Sequence, residues 1–300
     1  MKKLQAELLL DARASLGEGP VWRESEQALY WVDIIQGMLH KTVGTTAAEP
    51  VQDHAWKAPM PIGCYTFTRS GRLLGAGAHG FGWLTLEGEE AAFESWVDPE
   101  ADKPNRFNDG KCDARGRFLA GSMASRADGQ TVPGAFYSLE PDGTWQTLLD
   151  PVGISNGIAF TPDSKTLYYI DTTPAHILSF AYDLETGKIS DRRVLRTFEG
   201  DEGRPDGMTI DNDGNLWVAF FGGGKVRCIR PSDAAILAEV DVPALNITSC
   251  CFGGPDYGTL FITTARVGTD EEALRKYPNA GGIFAVRPGV TGGPFYDFAD

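Results

Sequence analysis

The chain has 300 residues, 42% of them hydrophobic and 11% aromatic, and a formal charge of −14. Such a composition suits a globular protein with a large core. The charge excludes a nucleic-acid or anionic-membrane surface, since both need clustered Lys and Arg; it fits a solubilising surface and is compatible with binding a cation.

From the N-terminus, MKKLQAELLLDARA carries an apolar run of only LLL between Glu7 and Asp11, which is too short for a signal peptide. QAELLLD reads instead as a strand. No later segment approaches the length of a membrane-spanning helix. Six turn-then-strand units follow in order: ESEQALYWVDI (24–34), TRSGRLLGAGA (68–78), DARGRFLAGSM (113–123), TPDSKTLYYIDT (161–172), DNDGNLWVAFF (211–221) and GGPDYGTLFITTA (253–265). Their anchors Leu29, Leu73, Phe118, Leu167, Leu216 and Leu260 are spaced by 44, 45, 49, 49 and 44 residues, the period of a four-stranded propeller blade. GTDEEALRKY (268–277) is the one stretch that reads as a helix. The spacing predicts an all-β fold: one six-bladed β-propeller domain over residues 1–300. Its last blade takes ITSCCF, TLFITTA and GGIFAVRP, and QAELLLD joins that blade to close the ring.

The five cysteines, Cys64, Cys112, Cys228, Cys250 and Cys251, form no CxxC and no zinc spacing. They read as small buried apolar side chains in a reducing compartment, so a cytoplasmic location is expected.

Ahead of each turn lies a short strand, and the starts of these strands align as GEGPVW, PIGCYTF, NDGKCD, SNGIAF, PDGMTID and TSCCFGG. Before the recurring glycine stand Glu18, Ile62, Asp109, Asn156 and Asp206, with Ser249 at that place in the last unit. If these strands line a central channel, Glu18, Asp109, Asn156 and Asp206 face one another. Converging carboxylates repel and resist desolvation unless a cation joins them. All-oxygen ligands suit Ca²⁺, Mg²⁺ or Mn²⁺, with Zn²⁺ a further option. No other motif competes: DNDGN lacks the Gly and Glu of an EF-hand, there is no HExxH or GxSxG, and His40, His54, His79 and His176 are scattered.

LGEGPVW, RFNDGKCDARGRFLAGSM, SNGIAFTPDSKTLYYIDT, PDGMTIDNDGNLWVAFFGGGKV and TSCCFGG…YGTLFITTAR…AGGIF together resemble the senescence-marker-protein/gluconolactonase (regucalcin-like) family, from about Leu16 to Phe284. The resemblance implies a six-bladed, metal-dependent sugar lactonase. It implies Glu18, Asn156 and Asp206 as metal ligands, Asp109 beside the metal, and Arg106 and Asn108 as partners of substrate hydroxyls. One departure stands out: where vertebrate members carry acidic residues after G-[ST]-M-A, this chain has MASRADGQT. Arg126 there either reaches a substrate hydroxyl or carboxylate, or lies in solvent.

The expected activity is hydrolysis of an aldonolactone to the aldonic acid. One divalent cation polarises the carbonyl, with Asp206 favoured over Asp109 as the base, or the cation itself activating water. The expected partner is a small sugar lactone, without nucleic acid or membrane, on a monomer or small homo-oligomer. Two alternatives are a metal-dependent hydrolase of aryl esters or organophosphates, and a calcium-binding propeller without chemistry.

Overall fold

Each of the six repeats folds into an antiparallel strand pair, and each anchor stands at or near the start of the second strand. All six anchors are buried. The turns between the paired strands are built by side chains that cap their own backbone. Asp211 Oδ1 accepts the N–H groups of Asp213 and Asn215 at 3.0 and 2.8 Å. Asp113 Oδ1 accepts those of Arg115 and Arg117, both at 2.9 Å. Thr68 and Thr161 do the same with their hydroxyls, at 3.0 Å each. Gly214, at φ +82°, supplies the left-handed residue that the Asp213-Gly214 turn requires.

The computed structural model describes residues 1–45 and 50–300. The architecture is all-β and propeller-like, made of meandering antiparallel sheets. The described chain divides into two compact units, one of residues 1–55 and 198–295, the other of residues 56–197 and 296–300.

The first unit carries three leading strands, Gly17–Arg23, Arg204–Ile210 and Asn246–Gly253. Asn246–Gly253 is followed outward by Thr259–Ala265, Ile283–Val286 and finally Glu7–Leu10, which pairs antiparallel with Ile283–Val286. The N-terminal strand therefore supplies the fourth strand of the last sheet, as its sequence suggests. Lys2–Gln5 makes a second pairing that the sequence did not suggest. It lies parallel to Ala235–Asp241, from Lys2↔Ala238 to Gln5↔Asp241, as a fifth strand of the Arg204–Ile210 sheet. The core of this unit is aromatic and aliphatic: Trp217, Phe252, Phe284, Ile247 and Ile262 in one cluster, Trp22, Leu29, Trp31 and Phe261 in another.

The second unit carries the leading strands Ile62–Phe67, Arg106–Cys112 and Ser155–Phe160. Its cores centre on Phe81, Phe107, Phe118 and Phe298, and on Leu119, Phe136, Tyr169 and Phe180. Phe298 belongs to the terminal segment 296–300, which forms a parallel bridge to Thr68 and places Asp300 Oδ1 on the Ser70 N–H at 3.1 Å.

The sheets are not six equal ones. Among the described residues they comprise one of eight strands, one of five, three of four and a two-stranded ribbon. The fifth strand is Lys2–Gln5. The eight-stranded sheet arises where Lys57 and Glu90 form a single parallel pair that links two four-stranded meanders. The expected helix is present as Glu271–Lys276, with Asp270 accepting the Ala273 N–H at 2.8 Å as its N-cap. All five cysteines are buried and free, as expected.

Candidate metal and substrate site

Strand register tests the alignment on which the candidate ligands rest. In every repeat the leading strand carries one extra residue relative to its partner, a β-bulge, near its start. The residue opposite the third position after each anchor is Glu18 (across from Val32), Cys64 (Ala76), Asp109 (Gly121), Asn156 (Ile170) and Ser249 (Thr263). In the fifth repeat that place falls inside the bulge, where Asp206 and Gly207 lie between the pairs Pro205↔Phe220 and Met208↔Val218. Five of the six aligned residues are therefore structurally equivalent. The sixth is corrected: the second repeat presents Cys64, not Ile62, because its bulge, at Gly63, precedes the equivalent position instead of following it.

The bulges fall into two kinds. In the second, third and sixth repeats the extra residue precedes the equivalent position, leaving Cys64, Asp109 and Ser249 back in regular pairing. In the first, fourth and fifth repeats the bulge follows or contains it, at Glu18, Asn156 and Asp206. A bulge re-aims the side chains beside it. Those three residues thus share a local geometry that Asp109 lacks.

Within the first unit, Glu18 and Asp206 are buried on the strands Gly17–Arg23 and Arg204–Ile210. Glu18 Oε2 accepts the Gly19 N–H at 3.0 Å. Gly207 lies against the Asn246–Gly253 strand, where a Cβ would come within 2.2 Å of Ser249 Oγ. The glycine after Asp206 is thus required by a close strand approach, since its φ is not positive.

Within the second unit, Arg106, Asn108, Asp109 and Asn156 come from the adjacent strands Arg106–Cys112 and Ser155–Phe160. The Arg106 guanidinium donates to Asn108 Oδ1 at 2.9 Å, and Asn108 Nδ2 donates to the Ser155 carbonyl at 2.9 Å, so both amide atoms are oriented. Asn156 Nδ2 donates to Thr172 Oγ1 at 3.1 Å, while its buried Oδ1 has no hydrogen-bond partner among the described residues. A buried amide oxygen without a donor is costly, and a hard cation satisfies it. The donor set of two carboxylates and one amide oxygen fits such an ion. Among the described residues no three His, Cys, Asp or Glu side chains gather as a metal cluster; the set proposed from sequence depends on an amide as its third member. Asp109 is held differently: burial pushes its carboxyl above the usual range, against the opposing pull of Lys111 and of the Gly110 N–H at 2.7 Å.

Arg126 stands on a separate two-stranded ribbon. It is exposed on the ribbon Ser125–Ala127/Gln130–Val132, its guanidinium donating to the Gly129 carbonyl of the same ribbon at 3.2 Å. The histidines also stand apart. His79 is exposed in a hairpin turn, and His40 stacks on Trp31 with ring centroids 3.7 Å apart. Sequence reasoning passed over Asn105, which is buried beside Arg106 and bonded to the ribbon. Its only sequence signal is its place next to RFNDG. Among the described residues no helix is long and apolar enough to cross a membrane.

Comparison with known proteins identifies the family. The sequence model of the SMP-30/Gluconolactonase/LRE-like region matches residues 16–266. Regucalcin of Danio rerio is 39% identical over 307 aligned residues, covering 99% of each chain. Among solved structures, a luciferin-regenerating enzyme superposes with a TM-score of 0.87 at 30% identity, over 98% of this chain and 100% of the other. Regucalcin from Agrobacterium tumefaciens, described as a calcium-binding protein, superposes with a TM-score of 0.89 at 25% identity, over 100% of this chain and 99% of the other. With the match spanning most of its length, the chain belongs to the SMP-30/gluconolactonase/LRE-like family.

Proposed function

We propose that the protein hydrolyses a sugar lactone to the corresponding hydroxy acid, with one divalent cation held by Glu18, Asn156 and Asp206. The observation that carries this reading is the common register and bulge kind of those three buried residues, together with the partnerless Oδ1 of Asn156. Family membership supports lactonase-type chemistry. The reading takes residues 1–300 as one six-bladed propeller in the cytoplasm, the Lys57–Glu90 pair joining two blades and Glu7–Leu10 closing the ring. Its support is six repeats of one period and the pairing of Glu7–Leu10 with Ile283–Val286.

A cation bound there supplies a Lewis acid for the lactone carbonyl and for the charge that builds on its oxygen. The remaining work falls to side chains. Arg106 and Asn108 present fixed donors and an acceptor to the ring hydroxyls, and their mutual hydrogen bond lowers the entropic cost of orienting the sugar. The Asp206 carboxylate takes a proton from water as the water oxygen adds to the carbonyl carbon. When the ring C–O bond breaks, that proton passes to the departing alkoxide, which leaves a free hydroxyl and a carboxylic acid, and the acid then loses its own proton to solvent.

The test is a panel of glucono-, galactono-, xylono- and arabinonolactone, assayed with chelator and with Ca²⁺, Mg²⁺, Mn²⁺ or Zn²⁺ restored. Chelator should abolish turnover, and Asp206→Ala should do so with the sheets intact by circular dichroism. Chelator-insensitive hydrolysis, or an active metal-replete D206A, overturns the mechanism. Tight Ca²⁺ binding with no rate above the spontaneous one identifies a non-catalytic calcium-binding propeller instead. Full activity in Arg106 and Asn108 variants points to another ester as substrate.

A further inference from the structure

The ribbon Ser125–Val132 has its own turn chemistry. Asp128 and Gly129 both take positive φ, +50° and +78°, the geometry of a tight two-residue hairpin turn. Among the described residues its strands pair only with each other, from Ser125↔Val132 to Ala127↔Gln130. An isolated two-stranded ribbon is marginal in water, so its position must come from what grips its base.

That grip is Asn105. Its side chain is buried, and both ends of its amide are committed to the ribbon. Ser125 Oγ, at the ribbon's entry, donates to Asn105 Oδ1 at 2.8 Å. Asn105 Nδ2 donates to the carbonyl of Pro133, at the ribbon's exit, at 2.9 Å. One amide thus spans the two legs of the hairpin. The next residue along the chain is Arg106, which pairs across the sheet with Met123, two residues before Ser125. Ala124 between them donates its N–H to the Gly153 carbonyl at 2.7 Å.

We infer that Asn105 is a positioning residue for substrate recognition: it fixes the ribbon at the edge of the strand that carries Arg106 and Asn108. This deepens the lactonase reading and rests on it for its kinetic consequence. Both hydrogen bonds are half-buried, so losing them frees the ribbon and leaves the Ser125 hydroxyl and Pro133 carbonyl to find water. The effect falls on substrate binding, because the described hydrogen bonds of the Asn105 side chain go to the ribbon and not to Glu18, Asn156 or Asp206.

Hydrogen exchange on the full-length protein reads the clamp directly. In Asn105→Ala, the ribbon amides at Ala127 and Gln130, the hydrogen-bonded pair beside the turn, should exchange about tenfold faster or more, with the rest of the second unit unchanged. Ser125→Ala, which removes one bond and leaves Asn105 in place, should give a smaller acceleration and guards against a folding defect in the first variant. With the lactone turned over best by the wild type, N105A should raise KM about tenfold while kcat stays within about twofold. Unchanged ribbon exchange in both variants overturns the inference, as does a loosened ribbon with an unchanged KM. A wild type inert toward every lactone defeats the reading of the site instead, and exchange alone then decides whether Asn105 holds the ribbon.

Discussion

Replacing Gly207 with alanine probes the strand approach beside Asp206. A Cβ at this position would lie 2.2 Å from Ser249 Oγ, 2.5 Å from Ser249 Cβ and 2.9 Å from Ser249 Cα, where ordinary contact begins at 3.4 Å. The hydroxyl can rotate aside, but Cβ and Cα are fixed to the neighbouring strand. The Arg204–Ile210 and Asn246–Gly253 strands must therefore part by most of an ångström. Because Gly207 has no positive φ, alanine adds no backbone strain and the whole cost is overlap. Overpacking of this kind costs about 1–3 kcal/mol, which lowers Tm by roughly 2–5 °C for a chain of 300 residues. Thermal melts in chelator should show that loss. Adding Ser249→Gly removes the two nearest atoms and should recover more than half of it. Parting the strands also displaces Asp206, so the rise in Tm produced by a divalent cation should shrink in G207A. A G207A protein that melts with the wild type, or one whose defect S249G does not relieve, refutes the account of this glycine.

Three other outcomes are expected. Arg117 is buried between Asp113, at 2.8 Å, and Glu140, at 2.6 Å, so Arg117→Met leaves the Asp113 carboxylate buried without its cation. The loss should be about 3–5 kcal/mol in urea unfolding, against about 1 kcal/mol for Tyr182→Phe, whose hydroxyl donates to the same carboxylate; equal effects would contradict this ordering. Asp109 has a folded pKa raised by burial, so its charged form is disfavoured in the fold above that pKa, and the stability it lends is present at low pH and lost as pH rises. Asp109→Asn should therefore melt above the wild type at pH 7–8 in chelator, with the gap closing on acidification; a constant gap would refute the assignment. Asn156→Ala removes the partnerless oxygen, so metal-free stability should change little while stabilisation by added cation disappears.

The period of the sheets was plain in the sequence because each repeat begins with the same physical demand: a side chain that caps a turn, then a large apolar residue to bury. Leu29, Phe118 and Leu216 mark this without ambiguity. The four oxygen-bearing candidates fell in the right register, and the second repeat was misplaced by two residues. The error at Ile62 arose because glycine signals a bulge without saying on which side of the ligand position the extra residue lies, and only pairing with Ala76 shows that Cys64 takes that place. Lys2–Gln5 could not be foreseen as a fifth strand, since a parallel edge partner leaves no turn in the sequence to announce it. Asn105 was hidden for a similar reason. Its two partners lie 20 and 28 residues away, and no local pattern reports a side chain that closes a loop.

The burial of Phe298 has a bearing on synthesis. This ring fills the core of the second unit among Phe81, Phe118 and Leu74, yet the ribosome makes it about a hundred residues after Thr197, the last residue of that unit's main segment. A nascent chain that has emerged only that far has an empty seat at its centre, so that half of the protein reaches its final packing only after residues 296–300 have been made. A peptide copying residues 296–300 and supplied in trans is the natural reagent for catching a truncated chain in that waiting state.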